Sequence, residues 1–342
     1  FTIDEITLLD GSKADIKKIK ADLVYQYYDG LEWKECASRE NKKGRLQQFA
    51  AKAEEIATKE YKVRALYRGA VASVSDVTAT LEEPTQLPNS DMEEWTESGV
   101  ARSIITYNPW NSASSSFWQT NNSYTTRYVN AKGRLTGSNP YNCFPAVSYV
   151  VGGHRGNRAA EIRSTASGRG NTLPSNVLLL NKVAGELFTG NVTVSQGGTA
   201  ATPKGDKYTV DTNGRSFSSR PTSLVFWYKY LPINNDTWKA EIILMDADHN
   251  TLASEKLTKS EKINDWTTVQ LDLNYAENKV YAKCCYIYIV FSSTITTGEA
   301  MQYKEYDSYN LWVNNSLKKF NDTKCWIGSV LTIDDISLIY DK

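Results

Sequence analysis

Flat rings set among amides and carboxylates are the residues of this chain best suited to chemistry. Trp110, Trp118 and Tyr124 lie in a Ser- and Asn-rich stretch. Tyr309 and Trp312 share a second polar stretch with Tyr303 and Tyr306, and Trp238 follows Asn234–Asn235–Asp236. Exposed rings of this kind stack on the C–H faces of sugars, while neighbouring amides and carboxylates take up the hydroxyls. If the same stretches fold back, the rings roof a core instead, and the sequence leaves both readings open. Trp33, Trp95, Trp227, Trp266 and Trp326 lie on or beside strand patterns and are expected in the core.

Acid–base chemistry is less well served. A glycosidase needs two carboxylates facing each other across a groove, about 5–5.5 Å apart for retention and about 6.5–9.5 Å for inversion. Glu161 and Glu186 lie on short strand patterns and could face such a groove, or could be surface charge. His154 and His249 are the two histidines, and neither sits in a metalloprotease or nucleophile-elbow motif. Asp246, Asp248 and Asn250 resemble the start of a calcium loop, but the Gly and closing Glu are missing, so a polar turn is expected. At Asp334–Asp335 the apolar alternation inverts, with Leu331 and Ile333 on one face and Ile336 and Leu338 on the other. An inversion of that kind predicts a β-bulge that re-aims both carboxylates.

The elements that must carry these residues are strands. The chain has 342 residues, with 21 Tyr and 9 Trp against 3 Met, and lacks long helical patterns, so an all-β protein of two domains is predicted. Lys plus Arg equals Asp plus Glu at 39 each, so no global field draws in nucleic acid or an anionic membrane. No apolar run approaches a membrane span, and Phe1–Lys18 does not read as a secretory leader. The five cysteines follow no metal spacing; buried thiols are expected, with a Cys143–Cys325 bridge as the alternative. The clearest strand is Leu224–Tyr228, bracketed by Pro221 and Pro232 and read as central and buried on both faces.

Residues 1–84 alternate over Ile19–Tyr27 and Tyr61–Tyr67 with turns at Asp29–Gly30 and Arg68–Gly69, the outline of a small immunoglobulin- or fibronectin-like sandwich. Leu46–Ala57 fits helix and strand equally. Glu82–Pro88 is a proline-bracketed linker. From Leu87 to Lys342 about eight strands joined by turns predict a larger jelly-roll sandwich, with Thr296–Ile327 as a long polar loop.

In the same region the order NSDMEEW, GNRAAEIRS, AGELFTG, FSSRPTSLVFWYKYLP, DWTTVQLDL, YIYIVFSS and GSVLTIDDISLIY resembles the Putative Carbohydrate Metabolism Domain family of Bacteroidetes surface proteins. That family is often preceded by a small immunoglobulin-like module. The resemblance covers about 87–342. It implies a carbohydrate-related jelly roll, export to the cell surface or periplasm and often a lipid anchor ahead of the chain, but supplies no catalytic residues. By analogy with carbohydrate-binding jelly rolls, whose first and last strands hold a structural calcium, Asp91 or Glu93 would join Asp334 or Asp335, with Asn157 adding an amide oxygen. The expected function is an exported, non-catalytic glycan-binding protein with Trp110, Trp118, Tyr124, Trp238, Tyr309 and Trp312 as ring contacts. A glycoside hydrolase with an unrecognised acidic pair, and a structural adhesin or assembly subunit docking other surface proteins, are the alternatives.

Overall fold

The computed structural model describes residues 10–13, 15, 22–28, 31–35, 37–39, 48–50, 60–71, 77–80, 84–99, 105–113, 116–126, 144–167, 181–195, 207–275, 282–320 and 325–340. Regular secondary structure among the described residues is almost entirely strand, as expected. They form two compact units, one built on 1–84 with 275–283 and 340–342, the other on 85–274 with 284–339.

In the smaller unit an antiparallel sheet runs in the order Trp33–Glu35, Leu23–Tyr28, Glu60–Tyr67, Ala70–Val71, with Val77–Thr80 also on Glu60–Tyr67. Ala37–Arg39 pairs with Gln48–Ala50, so the described part of the ambiguous Leu46–Ala57 segment is extended. Trp33 is half-buried under the Arg64 guanidinium, 4.1 Å from the ring centre, not sealed in a core.

The larger unit is the expected β-sandwich. One sheet orders Trp118–Thr120, Glu186–Thr189, Tyr286–Ser292, Trp238–Met245 and Thr251–Lys259, with Arg215–Ser216 also on Tyr286–Ser292. The other orders Val147–Val151, Arg158–Ser167, Cys325–Ile339, Ser223–Leu231 and Ile263–Asp272, with Asn181–Val183 and Lys304–Tyr306 pairing from the side. Ser223–Leu231 is central, flanked on both edges, but is not buried on both faces. Leu224, Phe226, Tyr228 and Tyr230 are buried, whereas Val225, Trp227 and Lys229 are half-buried. An antiparallel sandwich has a core face and an outer face, and the period of two divides the strand between them.

Between the sheets, Phe226 meets Phe291 edge-on at 4.9 Å, and Trp238 lies 4.8 Å from Tyr228. Trp118 reaches Phe291 at 6.2 Å and donates its indole N–H to Pro88 O at 2.9 Å. Trp95 is buried as expected, but Trp227, Trp266 and Trp326 are only half-buried. Their side chains fall on the outer side of the pleat or near a sheet edge.

The expected loop over Thr296–Ile327 is instead structured: a 3-10 turn at Gly298–Ala300, the strand Lys304–Tyr306 and a hairpin of Tyr309–Val313 with Ser316–Phe320. Asn314 and Asn315 make its two-residue turn with φ of 48° and 56°. Asn tolerates this left-handed pair, which matches the twist of the flanking strands. Cys284 and Cys325 are buried; Cys36 and Cys143, and with Cys143 the expected bridge, lie outside the described residues. Among the described residues no helix is long and apolar enough to cross a membrane.

Candidate functional site

Strand periodicity sets Glu161 and Arg163 on one face of Arg158–Ser167. Ala160 and Ile162 point the other way into the core, opposite Ile333 and Leu331. Arg163 is fully buried. It donates to the Glu161 carboxylate, to Ser148 Oγ at 2.6 Å and to Pro145 O at 2.8 Å. Burial, the largest single influence, opposes the guanidinium charge, but Glu161, Tyr309 and Tyr107 together hold Arg163 above its ordinary pKa. The rings of Phe144 and Tyr309 lie 5.5 and 5.8 Å from the guanidinium and 5.2 Å from each other. Burial also pushes the Tyr309 hydroxyl upward, so it stays protonated and able to donate.

Above this charged floor the 309–320 hairpin forms a wall. Val150, Glu161, Ser308, Tyr309, Asn310, Trp312 and Lys319 enclose an open recess of about 500 Å³. The wall is held from behind. Tyr107 OH donates to Trp312 O at 2.8 Å, Asn314 N to Glu97 Oε1 at 3.0 Å, and Asn315 N to Tyr149 OH at 3.1 Å. Arg158 grips Asn315 Oδ1 through Nε and Nη2 at 2.9 and 2.6 Å, and its guanidinium lies over Tyr149 at 4.4 Å. Burial first, then its bond to Glu97, pushes the Tyr149 hydroxyl up to about 12. A wall tied at so many points presents Trp312 and Tyr309 in one arrangement.

Of the six rings expected to be exposed, the structure brings Tyr309 and Trp312 together here. Trp110 is half-buried and does not line the recess, and its indole nitrogen is enclosed. Trp118, Tyr124 and Trp238 correct the expectation. Trp118 and Trp238 are wholly buried between the sheets, and Tyr124 packs 5.0 Å from Tyr208 with 7% exposure. Their polar neighbours in sequence sit at strand ends and in a short helix, Asn122–Thr125, whose Asn122 side chain bonds buried backbone. The recess also uses Ser308, Asn310 and Lys319, which the sequence reading passed over, and rests on Arg163. The Arg163 signal was available: Glu161 and Arg163 are two apart, hence on one face of a strand.

Glu186 does not join Glu161. Leu187 is fully buried and Phe188 packs with Val192, Val210 and Tyr288, so Glu186 faces outward from the opposite sheet. It accepts from Tyr208 OH at 2.9 Å, and burial pushes its carboxyl upward. Two carboxylates on opposite outer faces of a sandwich cannot flank one glycosidic bond.

The predicted bulge is present. Val225 pairs with Ser337 and Trp227 with Asp334, which leaves one extra residue on the longer strand, and Asp335 has a φ of 45°. The segment after Pro84 runs beside this last strand, Gln86 bonding Leu338 and Ile336 N donating to Ser90 O. Glu93 and Asp334 therefore reach the same loop, but both bind N–H groups. Glu93 Oε1 accepts from Asn157 N and Arg158 N at 2.6 and 2.8 Å. Asp334 accepts from His154 N at 2.6 Å and Asp335 N at 2.8 Å, and Asp335 Oδ2 lies 2.5 Å from His154 Nδ1. Gly153 permits this approach, since a Cβ there would lie 2.7 Å from Asp334 Oδ2. Donors pointing into the carboxylates are the reverse of a cation cage. Asp91 is exposed, Asn157 contributes its backbone, and no described group of three or more His, Cys, Asp or Glu could hold a metal ion. The expected calcium set does not fit an ion. Likewise Asp246 Oδ1 accepts from Asp248 N and Asn250 N, closing the expected polar turn.

Burial pushes the Asp334 carboxyl up to about 7, against the N–H bonds that lower it. Its ordinary value is near 3.8, so the folded state binds this proton more tightly than the unfolded one. That contribution to stability is present below about pH 4 and is lost as pH rises towards about 7. Asp334→Asn removes the titration, so the stability difference, wild type minus variant, is expected to shrink over that range in urea melts. A difference independent of pH would rule out the linkage.

The fold and site define a two-sheet antiparallel sandwich with an aromatic and polar recess on one outer face. No protein-family profile and no curated protein matches the chain. Among solved structures it is similar to one from Bacteroides vulgatus ATCC 8482 called a "putative glycoside hydrolase". The identity is 17% over 75% of this chain and 98% of that one, with a TM-score of 0.43. A structure of the same description from Bacteroides thetaiotaomicron VPI-5482 is 14% identical over 83% of this chain and 79% of that one, at 0.41. TmCBM61 in complex with β-1,4-galactotriose is 10% identical over 66% and 88%, at 0.27.

Proposed function

We propose that the protein binds glycans in the recess beneath the 309–320 hairpin and does not cleave them. The observation that carries this reading is the recess itself. Trp312 and Tyr309 offer ring surface beside Glu161, Asn310, Ser308 and Lys319, which together donate and accept as sugar hydroxyls require. Binding is favoured over hydrolysis because glycosidase chemistry needs a second carboxylate. Among the described residues lining the recess Glu161 is the only carboxylate, and Arg163 already engages it.

Two ring contacts at about 0.5–1.5 kcal/mol each, a few hydrogen bonds and the ordering cost leave weak binding, with a dissociation constant near millimolar on an order-of-magnitude reckoning. Trp312→Ala is expected to weaken retardation in polysaccharide gels roughly tenfold, with the melting temperature nearly unchanged. Unaltered retardation by every polysaccharide that retards the wild type would remove the recess from the reading. Release of reducing sugar by the wild type would overturn the non-catalytic part.

A further inference from the structure

The recess does not end at Glu161. The outer face of the sheet continues from it across three more strands, in register as far as Lys229 and with a register shift at Lys229 before the strand of Trp266. Glu161 pairs with Thr332, Thr332 pairs with Lys229, and the Lys229 ammonium lies 4.5 Å from the centre of the Trp266 ring. Their sheet neighbours Ile162, Leu331, Ile333, Tyr228 and Tyr230 are buried in the core, so these four side chains share the opposite face. All four are half-buried, as residues in a shallow track would be. At about 4.8 Å per strand the row from Glu161 to Trp266 spans roughly 14 Å.

The charges along this row are unequal. Glu161 is matched by Arg163, Asp335 Oδ2 lies 2.5 Å from His154 Nδ1, and Asp334 is buried among N–H groups. Lys229 has no ion pair among the described residues, and neither has Lys319 at the recess end. The π face of Trp266 holds the Lys229 ammonium without neutralising it. The whole chain carries no net charge, so any preference for anions must come from these local groups.

We infer that the recess and the Glu161–Thr332–Lys229–Trp266 row form one extended track for an acidic oligosaccharide. Lys319 stands in the recess with Glu161, which is two strands from Lys229, and each lysine would meet an acidic substituent of the sugar chain, a carboxylate or a sulfate ester. The inference rests on the glycan reading and deepens it: Lys229 decides which glycans are preferred.

The test uses the full chain in affinity gels containing polygalacturonate, a sulfated galactan free of carboxylates, or neutral galactan. Acidic polymer is expected to retard the protein about tenfold more strongly than neutral polymer, and added salt should erode that margin. Retardation by polygalacturonate alone or by sulfated galactan alone identifies the acidic group. K229Q should abolish the margin and K229R should keep it. T332E, which sets an anion in the middle of the track, should also abolish it, an independent check if K229Q folds poorly. Equal binding of neutral and acidic polymers, or a margin intact in both K229Q and T332E, overturns the track. Trp312-dependent retardation by neutral galactan would then leave the glycan reading standing, whereas failure of every polymer to retard the wild type removes both.

Discussion

Trp118→Ala is expected to lower stability by about 3–5 kcal/mol, the range for deleting a buried Trp or Phe. The indole is wholly enclosed, touches Phe117 edge-on at 6.0 Å and Phe291 at 6.2 Å, and donates its N–H to Pro88 O. Removal leaves a cavity between the sheets and an unpaired carbonyl, and the surrounding strands are locked by their own ladders against collapse. Urea unfolding of the larger unit is the measurement. Trp312→Ala is the contrast, because Trp312 stands half-exposed on the hairpin. A Trp118→Ala protein as stable as wild type would mean that the ring is not in the core.

Arg163→Met should cost a similar amount, about 3–5 kcal/mol, for an electrostatic reason. Methionine fills much of the space but takes the partner from Glu161, whose side chain is only 18% exposed. It also strips donors from Ser148 Oγ and Pro145 O in the floor of the recess. The carboxylate is then left poorly solvated and unpaired, which is worse than having no ion pair at all. Adding Glu161→Gln to Arg163→Met is therefore expected to recover part of the loss. In a double-mutant cycle the coupling should exceed about 1 kcal/mol. A loss below about 1 kcal/mol, or no recovery in the double variant, would show that the pair is solvated and does not build the floor. The recess should fail with the floor, so Arg163→Met should also weaken glycan retardation while Glu161 and Trp312 are both still present.

The physics that is local in sequence was legible from the sequence. Pro221 and Pro232 bracket Ser223–Leu231 because proline cannot donate to a ladder, and period-two alternation marks the neighbouring strands. The inverted alternation at Asp334–Asp335 announced the bulge, since one extra residue exchanges the faces of a strand. What the tertiary structure alone decided is which side of each strand faces inward and which strands share a sheet. Trp118 and Trp312 both stand in polar company, yet one is sealed between two sheets and the other walls a recess. Glu161 and Glu186 have similar strand contexts, yet strand pairing sends them to opposite outer faces. Val225 and Trp227 read as part of one buried run until pairing gave that run an inside and an outside. Alternation fixes only that neighbours point opposite ways. The choice between the two faces is made by tertiary partners outside the strand itself, through the apolar area that each pairing removes from water.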